Sequence, residues 1–172
     1  MARRTTSDQI FVDLVDAYLD RVYRYLRNLT RDEDAARDLC HETFLRLRGQ
    51  VDQGTSISEA YVFNTARNTA LSQWRSDRHE ENKREAWGQD REPHTAASSA
   101  SENRELRQAL QTALESLSED QRSVFLLAEV EGLKYEQIAE VLGVSAGTVA
   151  SRKHKAVRVM RGELKRLGHA MP

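Results

Sequence analysis

The stretch VLGVSAGTVASRKHKAVRVMRGEL, Val141 to Leu164, carries Arg152, Lys153, Lys155, Arg158 and Arg161 directly after a turn-forming segment. Guanidinium and ammonium groups so closely spaced suit electrostatic rather than covalent chemistry: they neutralise phosphates and release counterions. From Ser145 to Arg166 there are seven bases (Arg152, Lys153, Lys155, Arg158, Arg161, Lys165, Arg166) and one acid, Glu163. From Glu115 to Glu140 the balance reverses, with seven acids (Glu115, Glu119, Asp120, Glu129, Glu131, Glu136, Glu140) and two bases, Arg122 and Lys134. A formal net charge of −1 therefore hides a basic final helix. A solvated charged face would have the same composition, so the small and apolar residues around it must discriminate.

Ala139, Gly143 and Val149 are spaced as in a helix-turn-helix. A small Ala139 lets two helices cross closely, and Gly143 can take the left-handed backbone of the turn. Val149 belongs on the inner face of the second helix, and Ser145 is placed to cap that helix. In such a unit, residues near the start of the second helix meet base edges in the major groove. Thr148, Ser151 and Arg152 occupy that position, with His154 and Lys155 one turn on. Arg158 and Arg161 come later and suit phosphate or acidic protein.

The elements that must hold this helix follow from periodicity. Proline (2) and glycine (8) are scarce among 172 residues, and no strand-type alternation occurs, so the chain reads as all-α. Phe11, Leu14, Val15, Tyr18, Val22, Tyr25, Leu26 and Leu29 form an apolar stripe of helical period over Asp8 to Leu29. A second helix starts near Asp32–Asp34 and carries Ala36, Leu39, Cys40, Phe44 and Leu47; Gly49 to Ser56 reads as a loop. A third, Ser58 to Arg78, carries Val62, Ala66, Ala70 and Trp74. From His79 to Ser101 the stripe dissolves, and the segment, with Trp87 its one bulky residue, reads as a flexible linker. Helical pattern returns at Glu102, and Ser118 with Gln121 has capping-box spacing. The expected architecture is two small helical domains, 7–78 and 102–168, joined by a linker, 79–101.

Several function classes are excluded or disfavoured. A phosphate-binding glycine loop is missing, and the five histidines (His41, His79, His94, His154, His169) are dispersed, so no enzyme is expected. Cys40 is the sole cysteine; it cannot form an internal disulfide and reads as a small buried residue, with no metal or cofactor implied. No apolar run approaches a membrane span, and MARRTTSDQIF lacks the apolar core of a signal peptide, so no membrane insertion and a cytoplasmic location are expected.

The two halves together resemble a known family. DEDAARDLCHETFLRLR and AYVFNTARNTALSQWR are similar to conserved region 2 of bacterial RNA polymerase sigma factors of the extracytoplasmic-function group. LESLSEDQRSVFLLAEVEGLKYEQIAEVLGVSAGTVASRKHKA is similar to their region 4. The resemblance implies a transcription initiation factor that binds core RNA polymerase and promoter DNA. It implies polymerase docking through Asp38, His41, Glu42 and Arg46, which share one helical face. It implies an exposed set on the third helix, Asn64, Arg67, Asn68 and Arg75, for recognising and melting the −10 element, with Asn68 beside a flipped base and the Gly49–Ser56 loop forming its pocket. Thr148, Ser151, Arg152, His154, Lys155 and Arg158 would read the −35 element. Many members are also held inactive by an anti-sigma factor. Three positions depart from the family pattern: Asn64 and Ala150 stand where a base is common, and Lys153 where an apolar residue is common. A lysine at 153 implies either a side chain snorkelling to solvent or a slightly rotated helix. The alternative from the motif alone is a stand-alone helix-turn-helix regulator with a helical sensor or dimerisation domain.

Overall fold

A computed structural model describes the backbone of residues 2–85 and 101–169, and the side chains of 6–76 and 104–169. Helices α1 (Ala2–Thr30), α2 (Glu33–Asp52) and α3 (Glu59–Glu85) precede α4 (Ser101–Glu115), α5 (Glu119–Phe125), a π-helical turn (Leu126–Val130), α6 (Tyr135–Leu142) and α7 (Ala146–Arg166). No strand occurs among the described residues.

Local chemistry sets the helix ends. Asp32 caps α2, its carboxylate accepting from the N–H groups of Asp34 (2.9 Å) and Ala35 (3.0 Å), while Glu33 and Asp34 complement the helix dipole. Ala36, Leu39, Cys40, Thr43, Phe44, Leu47 and Val51 then bury one stripe against α1 and α3. Ser58 accepts from the Tyr61 N–H (3.1 Å) at the start of α3, and Ala60, Phe63, Ala66 and Ala70 turn inward. Phe63 meets Tyr25 edge-on, with centroids 5.7 Å apart.

In the second half, Ser118 and Gln121 form a capping box on α5. The π-helical turn inserts an extra residue per turn, and Gly132, at φ 71°, ends it. Gly143, at φ 64°, closes α6, and the Val144 N–H returns to the Ala139 carbonyl (3.1 Å). α4, through Ala109 and Ala113, and Leu117 just after it pack along α7 against Ala156, Met160 and Leu164. The alanines allow that close approach.

The larger core is continuous across both halves. Val22, Tyr25, Leu26 and Phe63 pack with Val124, Leu126, Leu127, Leu133, Ile138 and Val141 in one buried cluster. Helix α3 runs to Glu85, beyond the expected end at Arg78. The segment HEENKRE lacks an apolar stripe but is rich in helix-forming Glu, Lys and Arg, so propensity continues the helix where periodicity is silent. Trp87 and the remainder of the expected linker, 86–100, lie outside the described residues. Likewise α2 continues to Asp52, which shortens the expected Gly49–Ser56 loop.

Candidate nucleic-acid and polymerase interfaces

Ser145 sets the first turn of α7. Its hydroxyl accepts from the Thr148 N–H (3.1 Å) and lies 2.9 Å from Thr148 Oγ1, so Thr148 acts here in the local cap. Val149, Ala156, Met160 and Leu164 are buried, and Ser151, His154, Lys155 and Arg158 are exposed on the opposite side. That outer face has hydroxyl, imidazole, ammonium and guanidinium groups within two turns, a donor-rich surface of the kind that meets base edges and phosphates. Ala150 lies half-buried on the flank of this face, one turn before His154. Arg152 lies on the other flank and is half-buried, with Nη2 2.7 Å from Asp120 Oδ2.

Lys153 points inward without rotating the helix. Its ammonium sits 2.6 Å from Glu129 and 5.5 Å from the centre of the Tyr135 ring. The hydrogen bond to Glu129 is the main cause of its raised pKa. Of the two expected outcomes, neither snorkelling nor rotation is needed, because a carboxylate and an aromatic face receive the charge within the domain.

On α3, the expectation of an exposed set holds for Asn68 and Arg75 but not for Asn64 and Arg67. Asn64 donates from Nδ2 to the Val141 carbonyl of α6 (2.8 Å), and Asn68 donates to Asn64 Oδ1 (3.0 Å). The Arg67 side chain is only 12% exposed, between Asp120 (3.1 Å) and Glu119 (3.5 Å). The second half covers these two residues; nothing in the α3 sequence signals that cover. Arg46, Gln50, Tyr61, Asn64, Thr65 and Asn68 line an open hollow of about 340 Å³ between α2 and α3. Of the stretch 49–56, which was expected to form a base pocket, only Gln50 lines it.

On α2, Asp38, His41 and Arg46 are exposed, and Glu42 accepts from Arg46 Nε (2.8 Å) along the helix. Leu45, 56% exposed, lies among them. The face is thus polar with one apolar contact point, and it lies opposite the stripe that α2 buries. Cys40 is on that buried stripe, and burial pushes its thiol up to about 11.

The structural roles of Arg21, Arg24, Arg122 and Glu131 escaped the sequence reasoning. Glu131, its side chain fully buried, receives two hydrogen bonds from Arg24 (both 2.9 Å), and one from Arg21 Nε (3.2 Å). Arg21 also donates to the Glu131 carbonyl (2.9 Å) and pairs with Glu59 (2.6 Å). Arg122, also buried, points its guanidinium at four backbone carbonyls. Single charges within polar stretches gave no periodic signal for any of these.

The chain is similar to known proteins along most of its length. Residues 14–80 match the family model for sigma-70 region 2, and residues 107–160 match that for sigma-70 region 4. RNA polymerase sigma factor CarQ of Myxococcus xanthus is 31% identical, with 94% of each chain covered. The ECF RNA polymerase sigma factor SigL of Mycobacterium tuberculosis is 33% identical, covering 90% of this chain and 89% of its own. Among solved structures, the sigma factor RpoE of Bartonella quintana, in complex with the anti-sigma factor NepR, superposes with a TM-score of 0.75 at 26% identity, covering 91% and 98%. CnrH, in complex with the cytosolic domain of CnrY, shares the fold with a TM-score of 0.69 at 19% identity, covering 92% and 90%. Matches in both halves disfavour a stand-alone helix-turn-helix regulator. The chain belongs to the sigma-70 family, as an RNA polymerase sigma factor of the extracytoplasmic-function group.

Proposed function

We propose a division of labour within this transcription initiation factor, which is not an enzyme. The outer face of α2, with Asp38, His41, Glu42 and Arg46, docks on core RNA polymerase. Asn64, Arg67, Asn68 and Arg75 of α3 recognise the −10 element and help to separate its strands. Thr148, Ser151, Arg152, His154, Lys155 and Arg158 of α7 read the −35 element as duplex. The domains are 7–78 and 102–168, with 79–101 as the tether. The site of action is the cytoplasm, with the polymerase. No helix among the described residues is long and apolar enough to cross a membrane. An anti-sigma factor is a further expected partner, because the similar RpoE structure is a complex with the anti-sigma factor NepR.

The observation that carries this reading is the exposed row Ser151, His154, Lys155 and Arg158 on a helix whose start and inner face are tied down by Ser145 and Val149. Side chains on a rigid element are held in register for base edges. The polar α2 face supports the polymerase assignment, since it is the broad exposed surface that the second half leaves free. Run-off transcription with purified core polymerase and a promoter library tests the whole. A protein that neither binds core nor redirects initiation sinks the proposal. Lys155→Ala should weaken −35-dependent initiation by about tenfold, the scale of one lost charge-assisted contact. Core binding should be unchanged, and its loss instead would contradict the division of labour.

A further inference from the structure

Two adjacent cations hold α7 to its own scaffold. Lys153 follows Val149 by four positions and precedes Ala156 by three, so it stands on the inner face of α7 between two buried side chains. Its ammonium reaches Glu129 on the π-helical turn (2.6 Å) and lies 5.5 Å from the centre of the ring of Tyr135, the first residue of α6. Arg152, one position earlier, pairs with Asp120 on the first turn of α5 (2.7 Å). Asp120 and Glu129 thus stand near opposite ends of the segment formed by α5 and the π-helical turn. Neighbouring side chains on a helix project about 100° apart. Ties at both positions therefore fix the rotation of α7 about its axis as well as its crossing of α5.

That rotation decides what the outer row can reach. Ser151, His154, Lys155 and Arg158 are exposed on the same rigid helix and move with Lys153 as one body. At a helix radius of roughly 5–6 Å with side chains, a rotation of about 20° moves a side-chain end by about 2 Å. Hydrogen-bond lengths vary by only about 0.5 Å, so such a rotation breaks a contact to a base edge. An apolar side chain at 153 would be buried as well, but apolar burial has no direction. A contact of 2.6 Å to one carboxylate oxygen does.

We infer that Lys153, held by Glu129 and Tyr135, is a positioning residue for promoter reading: it fixes the rotation at which α7 presents Ser151, His154, Lys155 and Arg158 to the duplex. Lys153 itself faces away from DNA. The inference rests on the −35 reading proposed for α7 and adds a determinant of specificity on the inner face. Its sign separates it from bulk electrostatics. Glu129→Gln removes a negative charge from a DNA-binding unit, which by long-range attraction alone strengthens binding to every duplex. Through positioning, the same change lowers discrimination between sequences, because Lys153 loses the acceptor that fixes it.

The test uses the full chain bound to core RNA polymerase. Run-off transcription from a promoter recovered from the library, against the same promoter with its −35 element scrambled, gives a discrimination ratio. Selection from a pool randomised at that element gives the preferred bases. Glu129→Gln and Lys153→Met should each lower the ratio at least about fivefold, the scale of one displaced base contact, and change the selected bases. The double variant should lose no more than the worse single one, since both changes remove the same tie. Lys153→Arg keeps the charge and the aromatic contact and should stay within about twofold of the wild type. A purely structural role lowers the folded fraction instead: initiation from both templates then falls together, the ratio is preserved, and the inference is overturned. An unchanged ratio in both single variants, or a raised one for Glu129→Gln, overturns it too, as does a loss in Lys153→Arg as deep as that in Lys153→Met. Glu129 is exposed, so its variant keeps the test available if Lys153→Met fails to fold. A wild type that initiates without regard to the −35 element removes the parent reading and this inference with it. A wild type that discriminates while its variants match it removes this inference alone.

Discussion

Replacing Arg122 by alanine should be among the most destabilising single changes in this chain. Its Nε donates to the Leu114 carbonyl (2.9 Å), Nη1 to Leu29 (3.4 Å), and Nη2 to Leu117 (3.3 Å) and Glu115 (3.5 Å). These carbonyls lie at or beyond the ends of α1 and α4, where helices leave acceptors unpaired. One cation thus caps two helices and ties them to α5. Burial, and then the charge of Arg31, lowers the Arg122 pKa, so the group has already lost hydration that the carbonyls replace. A hydrogen bond from a charged donor is worth about 1.5–3 kcal/mol, and only the shortest of the four counts in full. Loss of the stem adds about 0.8 kcal/mol per buried methylene. Relief of the buried charge offsets part of this, which leaves a net loss of about 3–4 kcal/mol. Arg122→Met, which keeps the stem but not the donors, should lose about 2–3 kcal/mol. Urea denaturation followed by far-UV circular dichroism reads both, with the alanine midpoint falling by roughly 1–2 M for a slope of about 2 kcal/mol/M. A loss below about 1 kcal/mol for Arg122→Ala would refute the carbonyl-cage account.

Alkaline pH should destabilise the fold through Cys40 and Tyr25. Burial raises the thiol from 9.0 to about 11 and the phenol from 10.0 to about 12. The unfolded chain ionises first, so stability is fully present below pH 9 and declines through 9–11 for Cys40 and 10–12 for Tyr25. Each contributes a fall of roughly 2–3 kcal/mol by the upper limit of its window, and urea midpoints that stay level from pH 8.5 to 11 would contradict this. Iodoacetamide at pH 8 should correspondingly leave Cys40 of the folded protein unmodified and label it in urea. Ala150→Arg adds a base on the flank of the row formed by Ser151, His154 and Lys155. It should steepen the salt dependence of −35 duplex binding by about one counterion and alter the preferred base in a randomised promoter selection. An unchanged slope and an identical selected sequence would show that Ala150 does not face DNA.

Much of the molecule was legible residue by residue. Asp32 with Glu33 and Asp34 announced the start of α2, and Ser118 with Gln121 the start of α5, because capping is satisfied within a few residues. Ala139, Gly143, Ser145 and Val149 announced the helix-turn-helix for the same reason, since its turn and cap close within one short stretch. Two local features were less legible. The last turns of α3 lack the apolar stripe that reports burial, and the π-helical turn at Leu126–Val130 has no composition of its own. Lys153 is a misfit at an apolar position by sequence pattern alone, because Glu129 and Tyr135, which receive its ammonium, are distant in sequence.

By itself, then, the sequence determined the all-helical class, the caps, the basic outer row of α7 and the polar outer face of α2. Each depends on neighbours three to seven positions away, and helical geometry converts that spacing directly into a shared face. Only the tertiary structure decided which charges are free. Arg24 meets Glu131 across 107 positions, and Arg67 meets Asp120 across 53. An arginine in a polar stretch reads the same whether water or a distant carboxylate receives it. Which one does so is set by how the two halves pack, through Val124, Leu126, Ile138 and Val141 against α1 and α3. That packing covered Asn64 and Arg67, left Asn68 and Lys155 exposed, and put one carboxylate between two arginines that the chain carries 85 residues apart.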